Sequence, residues 1–115
     1  MNETQERVLR ACNEVLSVLG GGHREKIYEN ALLIELQNDF PIVSQQHIPV
    51  MYKNRCVGQI VSDLVLDNSF VIEIKAQTTK ISQKDRLQLM KYMKVANLQE
   101  GMIVNFCKEV SFEFF

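Results

Sequence analysis

Between Thr4 and Leu19 the apolar residues Val8, Leu9, Cys12, Val15, Leu16 and Leu19 recur at spacings of three and four, which places them on one face of a helix. Asn2 or Thr4 can cap its start. Gly20-Gly21-Gly22 ends it, because glycine accepts the positive φ that follows a helix C-terminus, and then acts as a flexible joint. The pattern predicts a second helix from about Arg24 to Asn38, with Ile27, Ala31 and Ile34 on one stripe and Tyr28, Leu32 and Leu36 on the adjoining one, making a broad apolar surface. Glu25 and Glu29, four apart, project from the same side of it, and Pro41 blocks its continuation.

From Ile42 to Lys75 the pattern changes to short β-type runs: Ile48 to Tyr52, Val57 to Leu66 and Phe70 to Ile74. They are separated by Lys53-Asn54-Arg55 and Asp67-Asn68-Ser69, both polar and turn-compatible, so an antiparallel meander is expected. Helical spacing returns from Ser82 to Ala96 (Leu89, Tyr92, Met93, Ala96), with Ser82 as the N-cap. Gly101 to Phe106 reads as a buried strand, and Val110, Phe112 and Phe114 alternate as in an edge or terminal strand.

A chain of 115 residues matches one compact domain, so a single domain over 1–115 with one core is expected. With 46% hydrophobic and 23% charged residues the composition excludes a disordered tail. No run is long and apolar enough for a membrane span, and Met1 to Glu6 is too polar and acidic for a signal peptide, so a cytoplasmic protein with no membrane partner is expected. Cys12, Cys56 and Cys107 are far apart, form no CxxC pair and have apolar neighbours. They are expected to be small reduced core residues, not a disulfide framework or zinc site. The net charge of −1 argues against a simple nucleic-acid coating protein. Local charge differs: Lys75, Lys80, Lys84, Arg86, Lys91 and Lys94 face a single acid, Asp85, between residues 75 and 94. Such a run is commonly a solvated helix face, and it is also the natural place for phosphate to bind.

The chemistry concentrates where the second and third strands meet. A three-residue loop at Asp67-Asn68-Ser69 pairs Leu66 with Phe70 and therefore brings Asp63 opposite Glu73. Opposed residues have Cβ atoms roughly 4.5 to 5.5 Å apart, close enough for two carboxylates to share one divalent cation, and oxygen ligands suit magnesium or manganese. Alternation puts Lys75 on the face of Glu73 with Ile74 pointing away, so a positive charge stands beside the pair. An E-x-K triplet alone more often lines the solvated face of a sheet. Here, however, Asp63 lies among Val61, Leu64, Val65 and Leu66, and Glu73 follows Phe70-Val71-Ile72; ionisable groups in such runs need partners, and a metal is one. Phosphodiester hydrolysis fits this equipment.

Gly22-His23-Arg24-Glu25-Lys26-Ile27-Tyr28, followed by Glu29-Asn30-Ala31-Leu32, resembles the signature of the GxxExxY proteins, a branch of the PD-(D/E)XK nuclease superfamily. The resemblance continues through Gln46 and Pro49, Tyr52-Lys53, Val57-Gly58, Asp63-Leu64-Val65, Glu73-Ile74-Lys75-Ala76, Gln88 with Tyr92, and Gly101 to Phe106. It implies an α/β, restriction-endonuclease-like core: N-terminal helices, an antiparallel three-stranded meander, then a helix and strand completing a mixed central sheet. It also implies site roles. Asp63 and Glu73 would be metal ligands, Lys75 the catalytic lysine, Glu25 an additional carboxylate near the metal, and Gln88 a polar group pointing at the same site. Glutamine there can hold a water or phosphate oxygen without adding charge. Family members commonly place a histidine shortly before that glutamine, where this chain has Asp85-Arg86.

Other residues carry less. His23 reads as an exposed turn histidine, His47 as a strand flank, and Met90 and Met93 as core or groove filling. The expected function is magnesium- or manganese-dependent cleavage of nucleic acid, DNA ahead of RNA. The alternative is an inactive module with the same fold that binds nucleic acid or a protein through the basic helix. The small surface is compatible with a homodimer.

Overall fold

A computed structural model describes all 115 residues. Helix α1 spans Glu3–Leu19 and α2 spans Glu25–Leu36. Strands β1 (Ile42–Tyr52), β2 (Arg55–Leu66) and β3 (Phe70–Lys75) follow, then α3 (Gln83–Ala96), β4 (Glu100–Phe106) and β5 (Val110–Phe114). The five strands form one sheet in chain order, β1-β2-β3-β4-β5. All neighbours are antiparallel except β3 and β4, which run parallel because α3 carries the chain back between them. The expected α/β, restriction-endonuclease-like core with a mixed central sheet is therefore present, with β5 as the added edge strand.

Each face of the sheet buries its own apolar set. Leu64, Leu66, Phe70, Ile72, Ile74, Met102, Val104 and Phe106 pack with Val8, Cys12 and Val15 of α1 and Tyr28, Leu32 and Leu36 of α2. Val65, Val71 and Ile103 pack with Leu89 and Tyr92 of α3 on the other face. Asn2 caps α1 in a capping box with Gln5, and Ser82 caps α3 in one with Asp85, so two helix starts match their sequence signals. Helix α2 ends two residues short of Asn38, and among its apolar residues only the Tyr28–Leu32–Leu36 stripe is fully buried. Ile34, on the other expected stripe, is 66% exposed, so the apolar surface is narrower than its pattern suggests.

The glycine joint is packed, not loose. Tyr28 stacks on Phe106 with centroids 4.5 Å apart, its hydroxyl donates to the Gly20 carbonyl at 2.7 Å and accepts the His23 N–H at 3.2 Å. A Cβ on Gly21 would lie 2.5 Å from the Cys107 carbonyl oxygen, which explains why that position has no side chain. Two further expectations are corrected. Cys12 is buried, but Cys56 is exposed and Cys107 half-buried. Met93 packs against the α3 cluster, whereas Met90 is exposed, because it falls on the outer side of α3. No helix is long and apolar enough to cross a membrane.

Candidate active site

The hairpin between β2 and β3 has the anticipated register. Asp67 and Asn68 take left-handed φ values of 51° and 52°, and Leu66 pairs with Phe70, Val65 with Val71 and Leu64 with Ile72. There the ladder stops, one step before Asp63 and Glu73. Asp63 Oδ2 instead accepts the backbone N–H of Ile74 at 2.7 Å. Strands β2 and β3 therefore diverge at the position where their carboxylates stand.

A second irregularity meets the first. Between the pairs Ser44–Leu64 and Gln46–Ser62 the β1–β2 ladder skips Gln45 and Asp63, and Gln45 has φ 53°. Alternation changes phase there. Ile42 and Leu64 belong to the α1/α2 side, while Ile48 and Ile60, of the same parity, pack against the α3 side. Strict alternation through β2 does not predict this change, since it is Gln45 in a left-handed conformation that turns the ribbon. Asp63 thus sits at the crossover between the two faces.

On one side of Asp63 stands Glu29. It is 3% exposed and accepts hydrogen bonds from Lys26 Nζ at 2.6 Å, Ser44 Oγ at 3.0 Å and Gln45 Nε2 at 2.7 Å. The same Gln45 nitrogen is 3.4 Å from Asp63 Oδ1, so Gln45 links the two carboxylates. The helical spacing sets Glu29 beside Glu25 but assigns it no role. The available signal is its position between Tyr28 and Leu32, two residues of the buried stripe.

On the other side is Glu73, 8% exposed. It lines a cleft of about 420 Å³ together with Ile60, Val61, Gln88, Lys91 and Tyr92. Gln88 of α3 thus lines the same cleft as Glu73. Burial pushes the Glu73 carboxyl up to about 8, and the Asp63 and Glu25 charges add to the rise, against the Lys75 ammonium and the Asp63 N–H. Asp63 is raised too, first by burial. The Ile74 N–H and Gln45 oppose the shift, while the Glu29 and Glu25 charges reinforce it. Glu25 itself is exposed at the first turn of α2, and its charge is felt by both carboxylates.

Lys75 lies on the Glu73 face, with Ile74 turned into the opposite core. Its Nζ is 3.7 Å from Asp85 Oδ1, and neither side chain is more than a fifth exposed. Asp85 thus serves both as the reciprocal partner of the Ser82 cap and as the counter-ion of Lys75. Arg86 is also paired, at 2.7 Å, with Glu113. The basic run is therefore partly neutralised, and Lys80, Lys84, Lys91 and Lys94 remain as its exposed charges. Beside Glu73 the buried hydroxyls of Ser62 and Tyr92 have no hydrogen-bond partner. Burial raises the Tyr92 phenol, and the Glu73 charge adds to the rise.

A family model described as PD-(D/E)XK nuclease superfamily matches residues 2–114. The chain belongs to the PD-(D/E)XK nuclease superfamily. The crystal structure of SSO0001 resembles this superfamily member with a TM-score of 0.52 at 13% identity, over 99% of this chain and 77% of that one. At that identity the likeness concerns the fold alone. No curated protein matches the chain.

PD-(D/E)XK nucleases typically use divalent metals. The residues present fit such an ion in donor chemistry: Asp63 and Glu73 are oxygen donors, and the Glu73 carboxyl, raised first by burial and then by the Asp63 charge, is one whose charged form a cation would favour. No three histidine, cysteine, aspartate or glutamate side chains converge as a ready-made cage. Asp63 and Glu29 spend their oxygens on protein donors instead.

Proposed function

We propose that the chain is a metal-dependent nuclease of the GxxExxY branch, a single domain over residues 1–115 that hydrolyses nucleic-acid phosphodiester bonds. The observation that carries this reading is the divergence of β2 and β3 at Asp63 and Glu73, with Lys75 and Gln88 on the Glu73 side. Asp63 and Glu73 would hold the ion, magnesium or manganese by the hardness of the oxygen donors, with Glu25 as an additional carboxylate. When bound, such an ion supplies Lewis-acid polarisation of a phosphoryl oxygen.

The chain's own residues supply the rest. Lys75 brings a positive charge that stabilises the negative charge developing on the phosphoryl group, and Asp85 positions that ammonium. Gln88 offers an amide that can donate to a phosphate oxygen without adding charge, and Lys91, lining the same cleft, favours entry of a polyanion. The partly apolar wall of Ile60, Val61 and Tyr92 limits water around the reacting groups.

Cleavage of single- and double-stranded DNA and RNA, with and without magnesium or manganese, tests the proposal. Activity should require the ion and fall by at least about a hundredfold in Asp63→Asn and in Lys75→Ala. Equal rates for Lys75→Ala and the parent would overturn the mechanism. One observation favours a second reading, a non-catalytic module binding nucleic acid or a protein through Lys84, Lys91 and Lys94: the carboxylates form no ready cage and Lys75 is tied to Asp85. Calorimetric titration with magnesium separates the two, because the module would bind no ion.

A further inference from the structure

The β1–β2 hairpin is far longer than the sheet that carries it. Strand β3 pairs with β2 only at Leu64, Val65 and Leu66, so the stretch of β2 from Arg55 to Ser62 has no neighbour on that side, and β1 is the sheet's outer strand. Ile48 and Ile60 still lean on the α3 cluster, but every residue from Met51 to Gln59 is exposed. At the tip, Tyr52 pairs with Arg55 across a two-residue turn in which Lys53 and Asn54 both have positive φ, a connection that fits the twist of a ribbon. The separator expected to hold Arg55 is thus only Lys53-Asn54.

The charge of this ribbon differs from that of the body. The chain has fourteen acidic residues, yet none lies between Phe40 and Ser62, where Lys53 and Arg55 are the charged side chains. Lys53 Nζ lies 5.3 Å from the centroid of the Tyr52 ring, so an aromatic face and two cations share the tip. The ribbon turns out of the sheet at Gln45 and Asp63, the site itself, and stands clear of the body beyond Ile48 and Ile60. Seven residues from Gln46 to Tyr52, at roughly 3.3 Å each, carry the tip about 20 Å away from it.

Resting on the nuclease reading above, we infer that this ribbon is a docking arm that enters the major groove of duplex DNA while the phosphodiester backbone lies at the Asp63–Glu73 site. Two strands roughly 4.8 Å apart fit a B-form major groove roughly 12 Å wide, which admits a two-stranded ribbon. The deep, narrow major groove of duplex RNA excludes it. Lys53 and Arg55 reach phosphates or base edges from the tip, and the lack of carboxylates removes repulsion along its length. The chief competing occupant is a second copy of the chain pairing along the open ribbon edge, which the tip cations and Pro49 within β1 disfavour.

The test uses the full chain in EDTA, so that nothing is cleaved, and fluorescence anisotropy with a labelled 20-base-pair DNA duplex and the same sequence as duplex RNA. The parent should bind the DNA at least tenfold more tightly than the RNA. Lys53→Gln with Arg55→Gln should weaken DNA binding at least tenfold and lower the slope of log K against log salt by about two. Arg10→Gln with Lys108→Gln, both exposed and away from the arm and from α3, should leave the preference for DNA over RNA in place. An arm variant that binds as the parent does overturns the arm while leaving the nuclease proposal standing, and so does an equal affinity of the parent for duplex RNA. An arm variant that changes only the sedimentation coefficient, with unchanged DNA affinity, makes the ribbon a protein interface and also overturns it. A parent that neither binds nor cleaves any nucleic acid overturns the nuclease reading and the arm together.

Discussion

Asp63 Oδ2 accepts the backbone N–H of Ile74 at 2.7 Å, so a side chain of one strand takes the hydrogen bond that the ladder between β2 and β3 no longer makes. The bond ties β3 to β2 one step beyond the end of their ladder, and it fixes one Asp63 oxygen while the other faces Gln45.

Asparagine and alanine at this position should therefore separate structure from chemistry. Asp63→Asn keeps an acceptor for Ile74 and removes a buried charge, so its stability should equal or exceed that of the parent in urea unfolding. Asp63→Ala leaves the N–H unsatisfied, at a cost of about 1–3 kcal/mol. Both should lose cleavage, because neither retains the carboxylate.

Glu73 gives the account a pH signature. Its carboxyl is raised from 4.5 to about 8, so between these values the folded protein holds a proton that the unfolded chain has released. Stability of the metal-free protein should thus be greatest near or below pH 4.5 as far as Glu73 is concerned, and fall on the order of a few kcal/mol as pH rises towards 8. Asp63, Glu25 and Lys75 set this field together with Glu73's burial. Glu73→Gln, neutral throughout, should flatten the slope in denaturant titrations from about pH 5 to 8. An unchanged slope would place the proton elsewhere.

The Lys75–Asp85 pair predicts a smaller effect with the opposite pH sense. Asp85 is held low by the Ser82 backbone N–H first, then by the Ser82 hydroxyl, Gln77 and Lys75. Its contribution is present above the ordinary carboxylate range and disappears as pH falls through its own lowered value. Asp85→Asn should cost about 1 kcal/mol at neutral pH and nothing in strong acid. It should slow cleavage by about tenfold, less than Lys75→Ala, because the ammonium remains but is no longer positioned.

Gln45 should show strain offset by a contact. Glycine accepts φ 53° without cost, so Gln45→Gly should retain the turn of the ribbon yet lose the bridge between Glu29 and Asp63. Gln45→Val, β-branched in a left-handed conformation, should cost at least about 1 kcal/mol in urea unfolding. Cleavage should fall in both, and a fully active Gln45→Gly would show that the bridge does not matter.

Much of this site is legible in the amino-acid sequence. The Asp67-Asn68-Ser69 turn sets the β2–β3 register, the Glu73-Ile74-Lys75 alternation places the lysine, and Ser82 marks the start of α3. These features are local, and local chemistry determines them. Glu29 is not legible as a buried group, because a glutamate in a helix is ordinarily solvated and its three donors come from Lys26, Ser44 and Gln45, two of them on another element. Nor is the phase change at Gln45. The polar run Ser44-Gln45-Gln46-His47 carries no β-type apolar pattern, yet β1 begins at Ile42 and passes through it. The pairing of Lys75 with Asp85 depends on where α3 settles over the sheet, a tertiary outcome that spacing does not encode.

Whether Asp63 and Glu73 hold a divalent ion is decided by calorimetric titration of the parent and of Asp63→Asn/Glu73→Gln with magnesium and with manganese, repeated at about pH 7 in buffers of different ionisation enthalpy. The parent should bind an ion with release of protons, because Glu73 must give up its own, and the double variant should bind none. Absence of binding by the parent to either ion, or equal binding by the double variant, would contradict an ion held by this pair.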